Sequence, residues 1–341
     1  MGMKYSTLKV RLILLMLRKG KLSIRKIFNT VRCYVAYHFK LDRSGRTPMV
    51  ISFELSNHCN ESCVFCRSEN GEIYDQNPRN PDQIIPKGTM KFEVVESVLR
   101  QTKDTLLMAV PYVNGEPFIY QRLDEVLRVA KECSVATTIA SNGVLLGQEN
   151  IDKILDYDLD FLKVHVSGFT TDVHRIQHRV GDVEKIKQNL RLLSKLIRGR
   201  KARLLVLIDY ILYKHNAHQV DQFKAFAHDL GFLFSVRPGN PRGMEGQENA
   251  LPPLPSVQNL PCDWLWKVLT INWDGAILPC CEYVVFGNAE NYGPFKEHET
   301  DVLGVWNGAR AVQMRKTHRE QGRKPIPICS QCSRVGVEFK Y

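Results

Sequence analysis

Val50-Ile51-Ser52-Phe53-Glu54-Leu55 runs, after three residues, into Cys59-Asn60-Glu61-Ser62-Cys63-Val64-Phe65-Cys66. A β-rich run thus opens into a loop whose cysteines stand at C-x3-C-x2-C spacing. Three thiolates on one short loop can hold three irons of a [4Fe–4S] cluster and leave the fourth iron without a protein ligand. Zinc would instead complete its tetrahedron with a fourth Cys or His, for which His58 is the nearby candidate.

Working outward, short β-rich runs alternate with amphipathic stretches. The pattern predicts strands at Val50–Leu55, Leu106–Val110, Ala136–Ala140, Phe161–Val166, Arg203–Leu212 and Leu233–Val236. Helices are predicted near 91–103, 121–133, 149–156, 182–198 and 218–230. Six β/α repeats imply a parallel sheet with helical crossovers, and the chemistry of such sheets sits at the C-terminal strand ends. The expected fold class is α/β, a partial (β/α)6 TIM-type barrel over residues 48–240. Pro- and Gly-rich residues 241–261 read as a linker to a small C-terminal β-hairpin and helix domain at 262–341.

Over residues 48–240 the sequence resembles the radical S-adenosylmethionine (SAM) superfamily. The cysteine spacing carries the resemblance, with Phe65 just before the last cysteine, as in the family. Asn114-Gly115-Glu116-Pro117 looks like the family's Gly-Gly-Glu-Pro motif, with Asn114, a residue that tolerates left-handed backbone, in place of the first glycine. Ser141-Asn142-Gly143 and Ser167-Gly168 stand at successive strand ends, as the family's polar SAM contacts do. The resemblance implies that Cys59, Cys63 and Cys66 hold the catalytic cluster. It implies SAM contacts from Phe65, Asn114, Gly115, Glu116, Pro117, Ser141, Asn142 and Ser167, and a flavodoxin or ferredoxin as electron donor.

Downstream, Asp274-Gly275 predicts a hairpin turn between Val268–Asn272 and Ala276–Leu278, with Cys262 near its entry and Cys280 at its exit. Cys329-Ser330-Gln331-Cys332 closes the set, and four thiolates can hold zinc or a fully ligated iron–sulfur cluster. This region resembles the twitch domain, the shortened form of the SPASM extension. It is similar to that of 2-deoxy-scyllo-inosamine dehydrogenase-type enzymes in the Cys262–Cys280 gap, Gly275-x4-Cys280, Gly287-Asn288 and Trp306-Asn307. That resemblance implies one auxiliary [4Fe–4S] cluster on Cys262, Cys280, Cys329 and Cys332. Cys281 is spare, and Cys33 and Cys133 read as core residues.

The overall composition, 44% apolar and 24% charged, excludes global disorder. Residues 1–47 hold twelve Lys/Arg against the single acidic Asp42, so the whole basic excess is N-terminal. Leu12–Leu17 is far short of the roughly 20 apolar residues a bilayer span needs. From Ser23, a candidate N-cap, apolar residues recur at helical spacing through Ile24, Ile27, Phe28, Val31, Tyr34 and Val35. This basic helical extension either docks its apolar stripe on the barrel or lies on anionic lipid. No nucleic acid partner is expected. Without a secretory signal the expected location is cytoplasmic, and peripheral at the membrane under the second reading.

The function so implied is hydrogen abstraction from an unactivated carbon by a 5′-deoxyadenosyl radical. The result would be oxidation or epimerisation of a small-molecule substrate, a sugar, polyol or lipid-linked compound; the alternative is peptide maturation. Tyr112, His165, Tyr210 and Arg237, at or near strand ends, are the candidate substrate contacts.

Overall fold

The computed structural model describes residues 5–75, 83–239, 259–285, 291–296 and 299–332. Two helices come first, α1 (Tyr5–Arg18) and α2 (Ile24–His38). Then follow β1 (Val50–Phe53), a ribbon of β2 (Ile73–Tyr74) and β3 (Ile84–Ile85), α3 (Phe92–Thr102), β4 (Met108–Val110), α4 (Leu123–Glu132), β5 (Ala136–Ser141), α5 (Gln148–Asp156) and β6 (Phe161–Val166). The barrel ends with α6 (Thr171–His178), α7 (Val183–Arg200), β7 (Leu205–Leu212), α8 (Val220–Asp229) and β8 (Leu233–Pro238). Beyond it lie α9 (Trp264–Lys267), β9 (Val268–Ile271), β10 (Ala276–Leu278), β11 (Gly293–Pro294), α10 (Val302–Trp306), α11 (Ala309–Gln321) and α12 (Pro327–Gln331).

The six predicted barrel strands are present and pair in parallel in the order β1-β4-β5-β6-β7-β8. Alternation along each strand sorts the side chains. Ile139, Val164, Val166, Ile208 and Tyr210 join the main core with helix residues such as Ile186, Leu190 and Phe223. Their neighbours Lys163, His165, Asp209, Ser235 and Arg237 therefore face the barrel interior. Each fully buried aliphatic side chain in such a core contributes about 1.5–3 kcal/mol.

The predicted hairpin forms, with Ile277 opposite Ile271 and Gly275 at φ +84° in its turn. It does not stand apart from the barrel. β9 pairs in parallel with β1 over Val50–Phe53, so one nine-stranded sheet runs from β11 to β8. Most of the predicted linker, residues 241–258, and Gly287-Asn288 lie outside the described residues.

Helix α1 closes the barrel at the N-terminal strand ends. Leu8 packs with Phe161 and Leu207, and Met16 with Met108 and Ala136. Lys19 and Lys21 reach Asp158 and Asp160 just before β6, the Lys21 Nζ–Asp160 Oδ2 contact being 2.8 Å with both side chains buried. Part of the N-terminal basic excess is thus structural.

Candidate active site

The cysteine loop follows the C-terminal end of β1, closes on itself and is pinned by the end of α6. Arg67 Nη2 donates to Asn57 O at 2.6 Å, and Arg179 Nη1 donates to Ser62 O and Arg67 O at 2.9 and 3.0 Å. Val64 N donates to Gln177 O at 2.9 Å. The loop is therefore held largely by α6, a helix that sequence periodicity missed. Its buried face is Val173, His174, Gln177 and His178, mostly polar, so no apolar repeat announces it.

Cys59, Cys63 and Cys66 form no disulfide and are partly exposed at the barrel mouth. Cys66 Sγ lies 3.2 Å from Asn114 Oδ1, and Asn142 Nδ2 lies 3.9 Å from Cys59 Sγ. Cys63 Sγ sits 3.4 Å from both Glu61 Oε2 and His178 Nδ1, which are 2.8 Å from each other. His178 Nε2 meets Ser167 Oγ at 3.0 Å and its ring stacks on His174, centroids 4.1 Å apart. Burial pushes the Cys59 thiol up to about 12, and burial with the charges of Glu61, Cys66 and Cys59 pushes Cys63 well up. Thiols so desolvated and crowded need a cation to ionise. The buried Glu61 Oε1 and Asn114 Nδ2 beside them have no hydrogen-bond partner among the described residues. This donor set fits a soft-metal cluster.

Asn114-Gly115-Glu116-Pro117 follows β4. Gly115 is required by close approach, because a Cβ there would stand 1.7 Å from Ser56 O. Asn114 is not among the left-handed residues. The family's first glycine is thus replaced without the left-handed backbone that Asn was expected to supply. Glu116 is buried and accepts from Ser141 Oγ at 2.9 Å, Asn142 N at 3.0 Å and Phe118 N at 3.2 Å. Burial, against those hydrogen bonds, raises it to about 7. Phe65 meets His178 edge-on at 6.2 Å, and Pro117 opens a 3-10 turn that Glu116 caps. The predicted SAM-contact residues of four successive strand ends therefore gather above one half of the barrel. Ser167 is the most enclosed, fully buried with Oγ turned to His178.

Inside the barrel stands an acid the sequence reading passed over. Asp209 is buried and accepts from Arg237 Nε and Ser235 Oγ, each at 2.8 Å, with His165 Nε2 3.4 Å away. Burial alone would raise its pKa, but Arg237, Lys163 and His165 outweigh it and bring it to about 2. His165 is held neutral, down to about 3, by burial and then by Arg237. The signal was available: Asp209 is the lone charge in the apolar strand Leu205–Leu212. Tyr210 is corrected as a substrate candidate. It faces outward, its OH donating to Asn216 O at 2.7 Å.

The C-terminal cysteines also converge. Burial pushes Cys280 well up, and Cys281, Cys329 and Cys262 add to it, while Cys262 feels Cys332 in turn. None is in a disulfide. Cys280 packs on the Ile73, Ile85 and Leu278 cluster, which also contacts Val113 of the loop after β4. His318 Nδ1 accepts from Cys262 N at 3.2 Å, and buried Arg315 donates to Leu265 O and Trp306 O. Cys33 is fully buried in α2 and Cys133 is buried at the end of α4.

Comparison with known proteins defines the class. The model of the radical SAM superfamily matches residues 53–227, and that of SPASM, an iron–sulfur cluster-binding domain, matches residues 262–333. Together they make this chain a SAM-dependent iron–sulfur enzyme. It belongs to the radical SAM superfamily and carries a SPASM domain after the barrel. A [4Fe–4S] cluster and SAM are the cofactors of the first part, and the second binds auxiliary iron–sulfur.

Among curated relatives, it is 20% identical over 327 residues to the tungsten-containing aldehyde ferredoxin oxidoreductase cofactor-modifying protein of Pyrococcus furiosus, covering 82% of this chain and 86% of that protein. It is 25% identical over 224 residues to the mycofactocin maturase MftC of Mycobacterium ulcerans, covering 64% of this chain and 55% of that one. The chain thus spans about half the length of some of the relatives it matches. Among solved structures, Streptococcus suis SuiB bound to S-adenosylmethionine aligns with TM-score 0.60 and 14% identity, over 89% of this chain and 76% of that one. BtrN in complex with AdoMet and 2-DOIA aligns with TM-score 0.53 and 15% identity, over 84% and 93%. At these identities the likeness is one of fold. No helix among the described residues is long and apolar enough to cross a membrane.

Proposed function

We propose that this enzyme oxidises a small polyhydroxylated molecule, a sugar, polyol or aminocyclitol, free or lipid-linked. The observation that carries the reading is the charged barrel interior: buried Asp209 fixed by Arg237 and Ser235, with neutral His165 and Lys163 on the neighbouring strand. Such an interior offers hydroxyl groups both acceptors and donors at fixed positions, whereas the side chains of a peptide segment would demand more apolar lining. The resemblance to 2-deoxy-scyllo-inosamine dehydrogenase-type enzymes points the same way.

In this reading Cys59, Cys63 and Cys66 ligate the catalytic cluster, and Cys262, Cys280, Cys329 and Cys332 an auxiliary one. Glu116 and the Asn114–Pro117 loop receive the SAM ammonium group, and Phe65, Ser141, Asn142 and Ser167 shape the rest of its seat. When bound, SAM and the first cluster would supply hydrogen-atom abstraction at an unactivated carbon, and the auxiliary cluster would supply an acceptor for the second electron. Asp209 and Arg237 orient the substrate so that one carbon faces the SAM ribose. A flavodoxin or ferredoxin is the reductant.

The test is anaerobic turnover of reconstituted enzyme with aminocyclitols, sugars and short peptides, scored by 5′-deoxyadenosine and by product mass. A ketone two hydrogens lighter from a polyol supports the proposal. Product from peptides alone would replace it with peptide maturation, the reading towards which the mycofactocin maturase MftC and the PqqA peptide cyclase point as relatives.

A further inference from the structure

Helix α2 is turned inside out for a helix docked on a barrel. Its buried residues are Lys26, Asn29, Cys33 and Ala36, while Ile24 is 65% and Phe28 63% exposed. Lys26 Nζ donates to Ser134 O at 2.5 Å, and Asn29 Nδ2 to Thr47 O and Thr105 O at 3.1 Å. The polar and small face therefore makes the dock, and the apolar stripe Ile24, Ile27, Phe28, Val31 and Val35 points away. Helix α1 docks through apolar Leu8, Leu15 and Met16 but carries a second apolar stripe outward, with Val10, Ile13, Leu14 and Leu17 exposed at i, i+3, i+4 and i+7.

The concentration is extreme. Of the sixteen large apolar side chains exposed among the described residues, twelve lie between Val10 and Leu41. Basic side chains are interleaved with them, Arg11, Arg18, Arg25 and Arg32 being exposed on the same two helices and Arg43 and Arg46 just after. An apolar face edged by arginines fits the boundary between headgroups and acyl chains, where the guanidinium groups meet phosphate and the stripe leaves water. Single exposed apolar residues are ordinary, but a contiguous patch of this kind marks an interaction surface.

We propose that α1 and α2 form an interfacial anchor that lies in the surface of an anionic bilayer. The occupant is lipid because the exposed Arg11, Arg18, Arg25, Arg32, Arg43 and Arg46 complement it, while Lys19, Lys21 and Lys26 are spent on the barrel. A second copy of the same face would bring like charges together. The inference does not depend on the proposed substrate, but it bears on it. Both helices dock at strand N-terminal ends, next to Thr105, Ser134 and Asp160. The cysteine loop and the barrel mouth are at the other end, so an anchored chain takes its substrate from the aqueous side.

The test is co-sedimentation of the full-length protein with phosphatidylglycerol–phosphatidylcholine vesicles and with phosphatidylcholine alone. Binding should favour the anionic vesicles by about tenfold or more and weaken between about 0.1 M and 1 M salt. The variant Phe28→Ser/Val31→Ser changes only exposed positions, so it should keep its circular dichroism and its SAM cleavage while losing about tenfold in vesicle binding. Wild type left in the supernatant at low salt overturns the proposal. So does a variant that binds as well as wild type, or a lipid-free dimer of the wild type that the variant abolishes, which would give the face to a second copy.

Discussion

Glu54 Oε2 accepts a hydrogen bond of 2.6 Å from the backbone N–H of Asn114, and its Oε1 one of 3.2 Å from that of Gly115. The residue that follows β1 thereby shapes the loop that follows β4. Glu54 is buried, and burial, against those hydrogen bonds, raises it to about 7. Replacing it with alanine leaves two partly buried N–H groups without their acceptor, which costs up to about 1–3 kcal/mol for each. Thermal melts should show the loss, and SAM affinity should fall with the loop's order.

The pH dependence of the apoprotein follows from Glu54 and Glu116. Both have folded pKa values near 7, above the ordinary 4.5. The folded state thus binds more protons than the unfolded state between those values, so their contribution is full below pH 4.5 and is lost as pH rises through 7. Apoprotein should melt lower at about pH 8 than at about pH 6, and Glu54→Gln should flatten that difference. An unchanged slope in the variant would assign the effect elsewhere.

Gly115→Ala should be severe, since its Cβ would meet Ser56 O at 1.7 Å and backbone must move. About 3 kcal/mol of stability should go, together with SAM binding measured by calorimetry. Gly147→Ala, which has open space, is the control.

Iron content separates the two clusters. Wild type should reconstitute with about eight irons per chain, and Cys59, Cys63 and Cys66 together replaced by alanine with about four. That triple variant should form no 5′-deoxyadenosine. Cys262→Ala with Cys280→Ala should also leave about four but retain SAM cleavage in part, with turnover reduced.

Asp209→Asn strips a buried carboxylate from between Arg237 and Lys163, a change of the kind that costs about 3–5 kcal/mol. With its pKa depressed to about 2, wild-type Asp209 contributes stability above the ordinary 3.8 that is lost as pH falls through 2. Acid melts should show that limb in wild type and not in the variant. SAM cleavage without substrate should survive the change and substrate-dependent turnover should not.

Legibility followed apolar periodicity. Strand Phe161–Val166 was readable to the residue because apolar and polar side chains alternate along it. Helix α6 was not, because His174, Gln177 and His178 are buried by stacking and hydrogen bonding rather than by apolar contact. The extension shows the opposite failure. Its 3.6-residue repeat was read as a helix correctly, yet periodicity cannot tell a face that seeks the core from one that avoids it. Lys26 and Asn29 decided the orientation, since each satisfies its polar group on strand-end carbonyls. Cysteine spacing gave both clusters of thiols, whereas Glu54, Glu61 and Asp209 act through partners far away in sequence.

The ladder between β1 and β9 also has a mechanical consequence. Four residue pairs, from Val50–Val268 to Phe53–Ile271, weld the two cluster-bearing regions edge to edge, and Glu54 N extends the seam to Ile271 O at 2.9 Å. A hinge along that line would have to break a row of buried hydrogen bonds at once. The separation of the two groups of thiols is therefore set by a continuous sheet, and under the proposed function an electron would cross a fixed distance between them.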